Sequence, residues 1–152
     1  MGKRNVGEER IFSRAWPSEP EAILWEVLEV PSESSIILRF LESGSPRLQG
    51  VRIAIDVGDG YLESKGVQGR NFHLWNREEM PPEIHIAYHG HSGKVSLYKI
   101  WLEEDGKWDS QSYYSGMKLT FRDHTMVYDC QDYGTEPRFD SLKFSITVSD
   151  SL

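Results

Sequence analysis

The sequence lacks several features that would place it in a specialised class of protein. It contains one cysteine, Cys130, among 152 residues, which excludes a small disulfide scaffold. No stretch approaches the run of about 18 apolar residues that a transmembrane helix requires. The first residues, MGKRNVGEER, lack the apolar core of a secretory signal. We therefore expect a cytoplasmic protein with no membrane partner.

Basic charge is also scarce. Lys and Arg total 17 against 24 for Asp and Glu, which gives a formal net charge of −7. Nucleic-acid binding requires clustered basic side chains that neutralise phosphates, and the chain offers only the short group Lys3, Arg4, Arg10 and Arg14. We expect no nucleic-acid partner. Much of the acidic excess lies in residues 101–152, which hold ten acidic and five basic residues.

Glycine loops that bind nucleotide phosphates are missing too. Gly58-Asp59-Gly60 follows an apolar segment, but neither the rest of a G-x-G-x-x-G motif nor a helical pattern follows it. An Asp-Gly pair is typical of a β-hairpin turn. These residues therefore predict a turn.

Alternation of apolar and polar residues with a period of two recurs along the chain and indicates strands. It is clear in residues 51–57, 84–88, 95–102, 117–121 and 142–148, and Gly, Pro and Asp turn signals separate these segments. The pattern predicts an all-β, mainly antiparallel β-sandwich of roughly eight to ten strands, with a partly open barrel as the alternative and at most one short helix. We treat residues 1–152 as a single domain and residues 1–9 as a flexible N-terminal arm.

One segment fits two interpretations. Ser18 and Glu21 have the spacing of a helix capping box, and the apolar residues at 23, 24, 27 and 28 fit a helical face. Ile23, Trp25 and Val27 also alternate as in a strand, and a hairpin-like return follows. We favour a strand here.

Three histidines lie close together in the segment that starts at Glu83. Glu83, His85 and His89 share one face of the predicted strand, and His91 follows two residues later. Successive residues on one strand face are about 7 Å apart, so His89 and His91 could reach one zinc ion with His85 or Glu83 as a third ligand. Zinc sites require three or four ligands in a set geometry, and we favour exposed histidines over a metal site.

The C-terminal stretch from Tyr128 to Val148 contains the strongest candidate for a cation site. Four carboxylates in one loop, those of Asp129, Asp132, Glu136 and Asp140, could supply the hard oxygen ligands that calcium prefers. The alternative is a turn in which these side chains bond the local backbone. We favour the turn and no cofactor, and keep calcium as the alternative.

Phe139-Asp140-Ser141-Leu142 resembles the closing segment of a family of β-sandwich modules, in which an acidic loop ending in F-N-D-L leads into the last strand. The resemblance covers about twenty residues. It implies a β-sandwich with calcium or ligand contacts in this loop. Asp140 and Ser141 stand where that pattern has Asn and Asp, so one of the expected carboxylates is replaced.

A second candidate site combines aromatic and polar residues. Trp108, Asp109, Gln111 and Tyr113 lie in a segment with the composition of a recognition loop. Aromatic faces beside hydrogen-bonding groups suit a glycan, although core packing is the favoured role for any single aromatic residue. We assign these four residues as candidate ligand-binding residues.

These observations favour a non-catalytic binding or interaction module for a glycan or another small polar ligand. The alternative is a small β-fold enzyme that uses His, Asp or Tyr acid–base chemistry in an internal cavity. Cys130 is an unpromising nucleophile, because it would need an adjacent base and His124 is six residues away, and we expect a buried thiol. An enclosed cavity would favour the enzyme, and exposed Trp108 and Tyr113 over a filled core would favour the binding module.

Overall fold

The computed structural model describes residues 9–78 and 81–152, and all regular secondary structure in these ranges is β. The strands are β1 (Ile11–Phe12), β2 (Ile23–Val30), β3 (Ser34–Ser43), β4 (Gln49–Val57), β5 (Tyr61–Ser64), β6 (Val67–Gly69), β7 (Asn71–Trp75), β8 (Glu83–His89), β9 (Gly93–Leu102), β10 (Trp108–Ser110), β11 (Gly116–Arg122), β12 (Thr125–Gln131) and β13 (Leu142–Ser149). The predicted N-terminal arm, apart from residue 9, lies outside the described residues.

The strands form one antiparallel sheet that curls into a nearly closed barrel. The order across the sheet is β6-β5-β8-β3-β13-β12-β11-β2-β9-β4-β7, while β1 pairs with β2 and β10 with β9. The all-β, mainly antiparallel prediction is confirmed, and the barrel alternative describes this arrangement. The sheet narrows to a single residue pair, Ile23 with Met117, where β2 meets β11.

The alternating segments form strands because one face of each strand is buried. On β8, Ile84, Ile86 and Tyr88 enter the main core, while His85 points outward. Residues 51–57, 95–102, 117–121 and 142–148 likewise lie within β4, β9, β11 and β13. The ambiguous segment forms β2, which confirms the strand interpretation, and two backbone hydrogen bonds at Glu19 fold the preceding residues into turns.

A smaller apolar cluster fixes the loop before β13. Trp16, Ala22 and Phe139 pack together, with the rings of Trp16 and Phe139 at 5.2 Å and nearly perpendicular. The indole N–H of Trp16 donates to the carbonyl of Thr135 at 3.1 Å. Phe139 has a φ of 52°, which bulky residues rarely adopt, so these contacts hold a strained backbone in place.

Candidate functional site

Four side chains form a row across the outer face of β2, β9, β4 and β7, opposite the core. Arg52 on β4 is the register partner of Tyr98 on β9 and of His73 on β7. Trp25 on β2 packs against Tyr98 with ring centroids 5.0 Å apart. The Arg52 guanidinium carbon lies 5.7 Å from the Trp25 ring centre and 5.1 Å from that of Tyr98. We call Trp25, Tyr98, Arg52 and His73 the aromatic row.

Trp108 extends this row at its exposed end. Its indole contacts the His73 ring at 4.7 Å in an edge-to-face arrangement, and the residue is 48% exposed. β10 positions Trp108 by pairing with the end of β9, where Trp108 is opposite Leu102. Gly50 on β4 leaves room for the Trp75 side chain, because a Cβ at position 50 would lie 2.8 Å from Trp75 Cε3. The indole is therefore accessible and fixed on a sheet.

The polar groups beside Trp108 have defined electrostatics. Partial burial, and then the positive charge of Arg52, lower the pKa of His73, which favours a neutral imidazole that both donates and accepts hydrogen bonds at neutral pH. Arg52 Nη1 donates to Ser96 Oγ at 3.2 Å, and this contact holds the guanidinium over the sheet. The arrangement places an apolar ring face next to hydrogen-bonding groups.

The other predicted ligand-binding residues have different surroundings. Asp109 is exposed and its carboxylate accepts a hydrogen bond from the Ser110 backbone N–H at 2.9 Å. The Gln111 side chain bridges two strands: its oxygen accepts from Lys99 N at 2.8 Å, and its nitrogen donates to the carbonyls of Ile23 and Leu24. Gln111 thus completes the sheet where β2 and β9 separate, a role that its sequence neighbours do not reveal.

Tyr113 belongs to a second exposed aromatic group. It is 59% exposed and contacts Tyr114 edge to face at 4.9 Å, and Tyr114 contacts Tyr133 at 6.0 Å. Ser13 Oγ donates to the Tyr113 carbonyl at 3.3 Å, which connects this group to the N-terminal segment. Trp108 and Tyr113 therefore have different ring partners on the described surface.

The four candidate calcium ligands are distributed among separate contacts. Asp129 pairs with Lys143 at 3.6 Å, and Glu136 pairs with Arg138 at 3.1 Å. Asp132 is buried, whereas Asp140 is exposed and lines a groove together with Asp129. Across residues 9–78 and 81–152, no group of three or more His, Cys, Asp or Glu side chains is arranged to hold a metal ion. Calcium binding stays a prediction.

The clustered histidines each lie beside a different carboxylate. His85 Nε2 is 3.6 Å from Glu83, His89 Nδ1 is 3.4 Å from Glu33, and His91 Nδ1 is 3.4 Å from Asp59. The His89 ring also stacks on Tyr61 at 4.9 Å. His85 and His91 are exposed and His89 is half-buried, and their separate carboxylate partners favour three independent histidines over a shared zinc site.

Sequence reasoning missed a buried ion pair inside one end of the barrel. Lys99 on β9 is 0% exposed and donates to Asp132, which follows β12. The other carboxylate oxygen of Asp132 accepts from Gln49 at 2.9 Å and from Ser45 at 3.2 Å. Burial lowers the pKa of Lys99 to about 7, and the positive charge of Arg47 contributes to this decrease. The signal was present in the sequence, because Lys99 falls on the same strand face as Leu97 and Trp101.

A second buried charge was also missed. Glu26 on β2 is 0% exposed and shares its strand face with Leu28 and Val30. Its carboxylate accepts hydrogen bonds from Arg10 and from Tyr128, whose hydroxyl lies at 2.7 Å. Burial, and then the negative charge of Glu26, raise the pKa of Tyr128, so this phenol stays protonated and donates. The alternation of Ile23, Trp25 and Val27 places Glu26 on the opposite face, so the sequence pattern did not indicate its burial.

Comparison of the chain with protein families, with curated proteins and with solved structures finds no match. In the described ranges no helix is long and apolar enough to cross a membrane.

Proposed function

We propose that this protein is a non-catalytic binding module that holds a glycan on the outer face of its sheet, with Trp108 as the principal contact. The observation that carries the proposal is the half-exposed indole of Trp108, fixed edge to face against His73. A sugar ring presents C–H groups on its faces and hydroxyls around its rim. An exposed aromatic ring beside polar groups matches both.

The neighbouring groups support this ligand class. The His73 imidazole can donate to or accept from a hydroxyl, and the Arg52 guanidinium lies one strand away on the same face. Asp109 is exposed beside Trp108 and provides a further acceptor. Gln111 is left out of the contact set because its side chain bonds the backbone.

The apolar interior favours binding over catalysis. Buried side chains from most of the strands form one main core, and the interior charges of Lys99 and Glu26 are engaged by Asp132 and Arg10. His85, a histidine that such an enzyme could use as a base, is exposed and lies beside Glu83. A cytoplasmic location stays a prediction.

The test is binding of the whole chain to an array of neutral and acidic oligosaccharides, followed by calorimetric titration of the best one. Trp108→Ala should weaken that binding at least about tenfold, because aromatic anchors contribute 1.4 kcal/mol or more. Phe121→Ala is the matched control, since Phe121 is 67% exposed on β11 and should bind as the wild type does. Absence of oligosaccharide binding, or equal binding by Trp108→Ala, would contradict the proposal. Loss in Tyr113→Ala alone would move the site to the tyrosine group.

A further inference from the structure

The carboxylate of Glu26 lies close to the point where β2 and β11 share a single residue pair. β2 pairs with β11 only through Ile23 and Met117, so the two strands diverge beyond this pair. Glu26 lies three residues farther along β2, on its core face. Backbone pairing between β2 and β11 stops beyond this pair, and we call the space between the two strands the gap.

Arg10 fills this gap. Its Nε donates to one Glu26 oxygen at 2.7 Å and its Nη2 to the other at 3.0 Å, a paired geometry that matches a planar guanidinium to a carboxylate. The side chain of Arg10 is 34% exposed while that of Glu26 is 0% exposed. The Arg10 guanidinium therefore approaches from the surface side, and the Glu26 carboxylate lies inside the barrel.

The remaining contacts of Glu26 prepare its carboxylate for such a cation. The Tyr128 hydroxyl donates to Oε2 at 2.7 Å, and the backbone N–H of Val27 donates to Oε1 at 3.0 Å. These donors come from β12 and β2 and fix the orientation of both oxygens without Arg10. A planar fork of N–H donors fits the two remaining positions better than the single point charge of a lysine does.

The segment that carries Arg10 is weakly attached. β1 has two residues, pairs with β2 at Ile11–Trp25 and Phe12–Ile23, and has a register irregularity between them. Phe12 is exposed, and the nearest buried apolar anchor is Trp16. Release of the chain from Arg10 to Ser13 breaks the bonds of buried Ser13 to the carbonyls of Ala22 and Tyr113, while Trp16 can stay in place.

We infer that Glu26 and Tyr128 form a guanidinium-binding site, that Arg10 occupies it as an internal ligand, and that release of β1 opens it to an arginine side chain of a partner protein. The net charge of −7 favours a partner with basic residues. The site is separate from the Trp108 face and does not depend on the proposed glycan binding.

Chemical complementation of the full-length Arg10→Ala variant tests the site. The variant should melt below the wild type, because a buried carboxylate loses its cation. N-acetyl-arginine methylamide should raise its melting temperature by about 3–6 °C at ten times the dissociation constant. The wild type should not respond, because Arg10 fills its site. The lysine analogue and NaCl at equal ionic strength are the matched controls.

Two outcomes would overturn the guanidinium site: an equal effect of the lysine analogue, or no effect of the arginine derivative. Retention of the effect in Arg10→Ala/Glu26→Gln would overturn the role of Glu26. If Arg10→Ala is unfolded without additive, recovery of its near-ultraviolet circular dichroism on adding the arginine derivative becomes the readout.

Release of β1 is tested in the wild type by hydrogen exchange. The amide of Ser13, which bonds the Ala22 carbonyl at 2.7 Å, should exchange much faster than the amide of Ile146 in the buried strand β13. Equal protection of the two amides would overturn the release of β1.

Discussion

Removing the negative charge of Asp132 should destabilise the protein strongly, and the size of the loss depends on pH. Asp132→Asn leaves the ammonium of Lys99 without its counterion at a position that is 0% exposed. Breaking one partner of a buried ion pair costs about 3–5 kcal/mol. We expect urea denaturation at pH 6 to show a decrease in the free energy of unfolding within this range.

The loss should become smaller as the pH rises. Burial already lowers the pKa of Lys99 to about 7 in the wild type, and without the carboxylate it falls further. The unfolded chain then keeps a proton that the folded variant has released, so the free energy of unfolding of the variant rises with pH. In the wild type the corresponding rise begins only above about pH 7. The free energies of unfolding of the wild type and of Asp132→Asn should therefore differ less at pH 9 than at pH 6.

Two further variants distinguish a buried pair from a general charge effect. Asp129→Asn removes a half-buried carboxylate 3.6 Å from Lys143, and should cost less than about 1 kcal/mol. Adding Lys99→Met to Asp132→Asn removes the unpaired ammonium and should recover part of the lost stability. The reasoning is refuted if Asp132→Asn is no more destabilising than Asp129→Asn, or if the double variant is less stable than Asp132→Asn.

The other predictions concern the loop that precedes β13. Gln131→Ala removes side-chain hydrogen bonds to backbone groups at positions 134, 136, 138 and 139, and should lower the free energy of unfolding by about 2 kcal/mol or more and speed proteolysis within the loop. Gln68→Ala, which removes one exposed contact to Glu63, should change stability by less than about 0.5 kcal/mol. The calcium hypothesis predicts a higher melting temperature when Ca²⁺ is added after chelation, and an unchanged melting curve refutes it.

The strands with one clear buried face were predictable from the sequence. In β8 and β13 the apolar residues at alternate positions decide which side enters the core, and this choice needs no knowledge of the partner strands. The short elements β1, β6 and β10 have only two or three residues, too few to establish a period. Their pairing depends on neighbours distant in the sequence, and so does the closure of the sheet into a barrel.

The candidate site was predictable only in part. Exposure of Trp108 follows from its position among polar turn residues, whereas its contact with His73 depends on the register of β10, β9, β4 and β7. The role of Gln111 depends on the separation of β2 from β9. Lys99 could have been placed in the core by alternation, whereas the alternation of Ile23, Trp25 and Val27 points Glu26 the other way. Their partners Asp132 and Arg10 come from distant segments.

Glycan binding to Trp108 can be observed directly at the indole N–H groups of the five tryptophans. Nuclear magnetic resonance is the measurement. The oligosaccharide that binds best is titrated into ¹⁵N-labelled protein, with the Trp108 signal assigned by its loss in Trp108→Ala. If the glycan contacts Trp108, the Trp108 signal should shift most. The signal of Trp16, whose N–H is bonded to the Thr135 carbonyl, should stay in place. An unshifted Trp108 signal at saturating oligosaccharide would contradict glycan contact at Trp108.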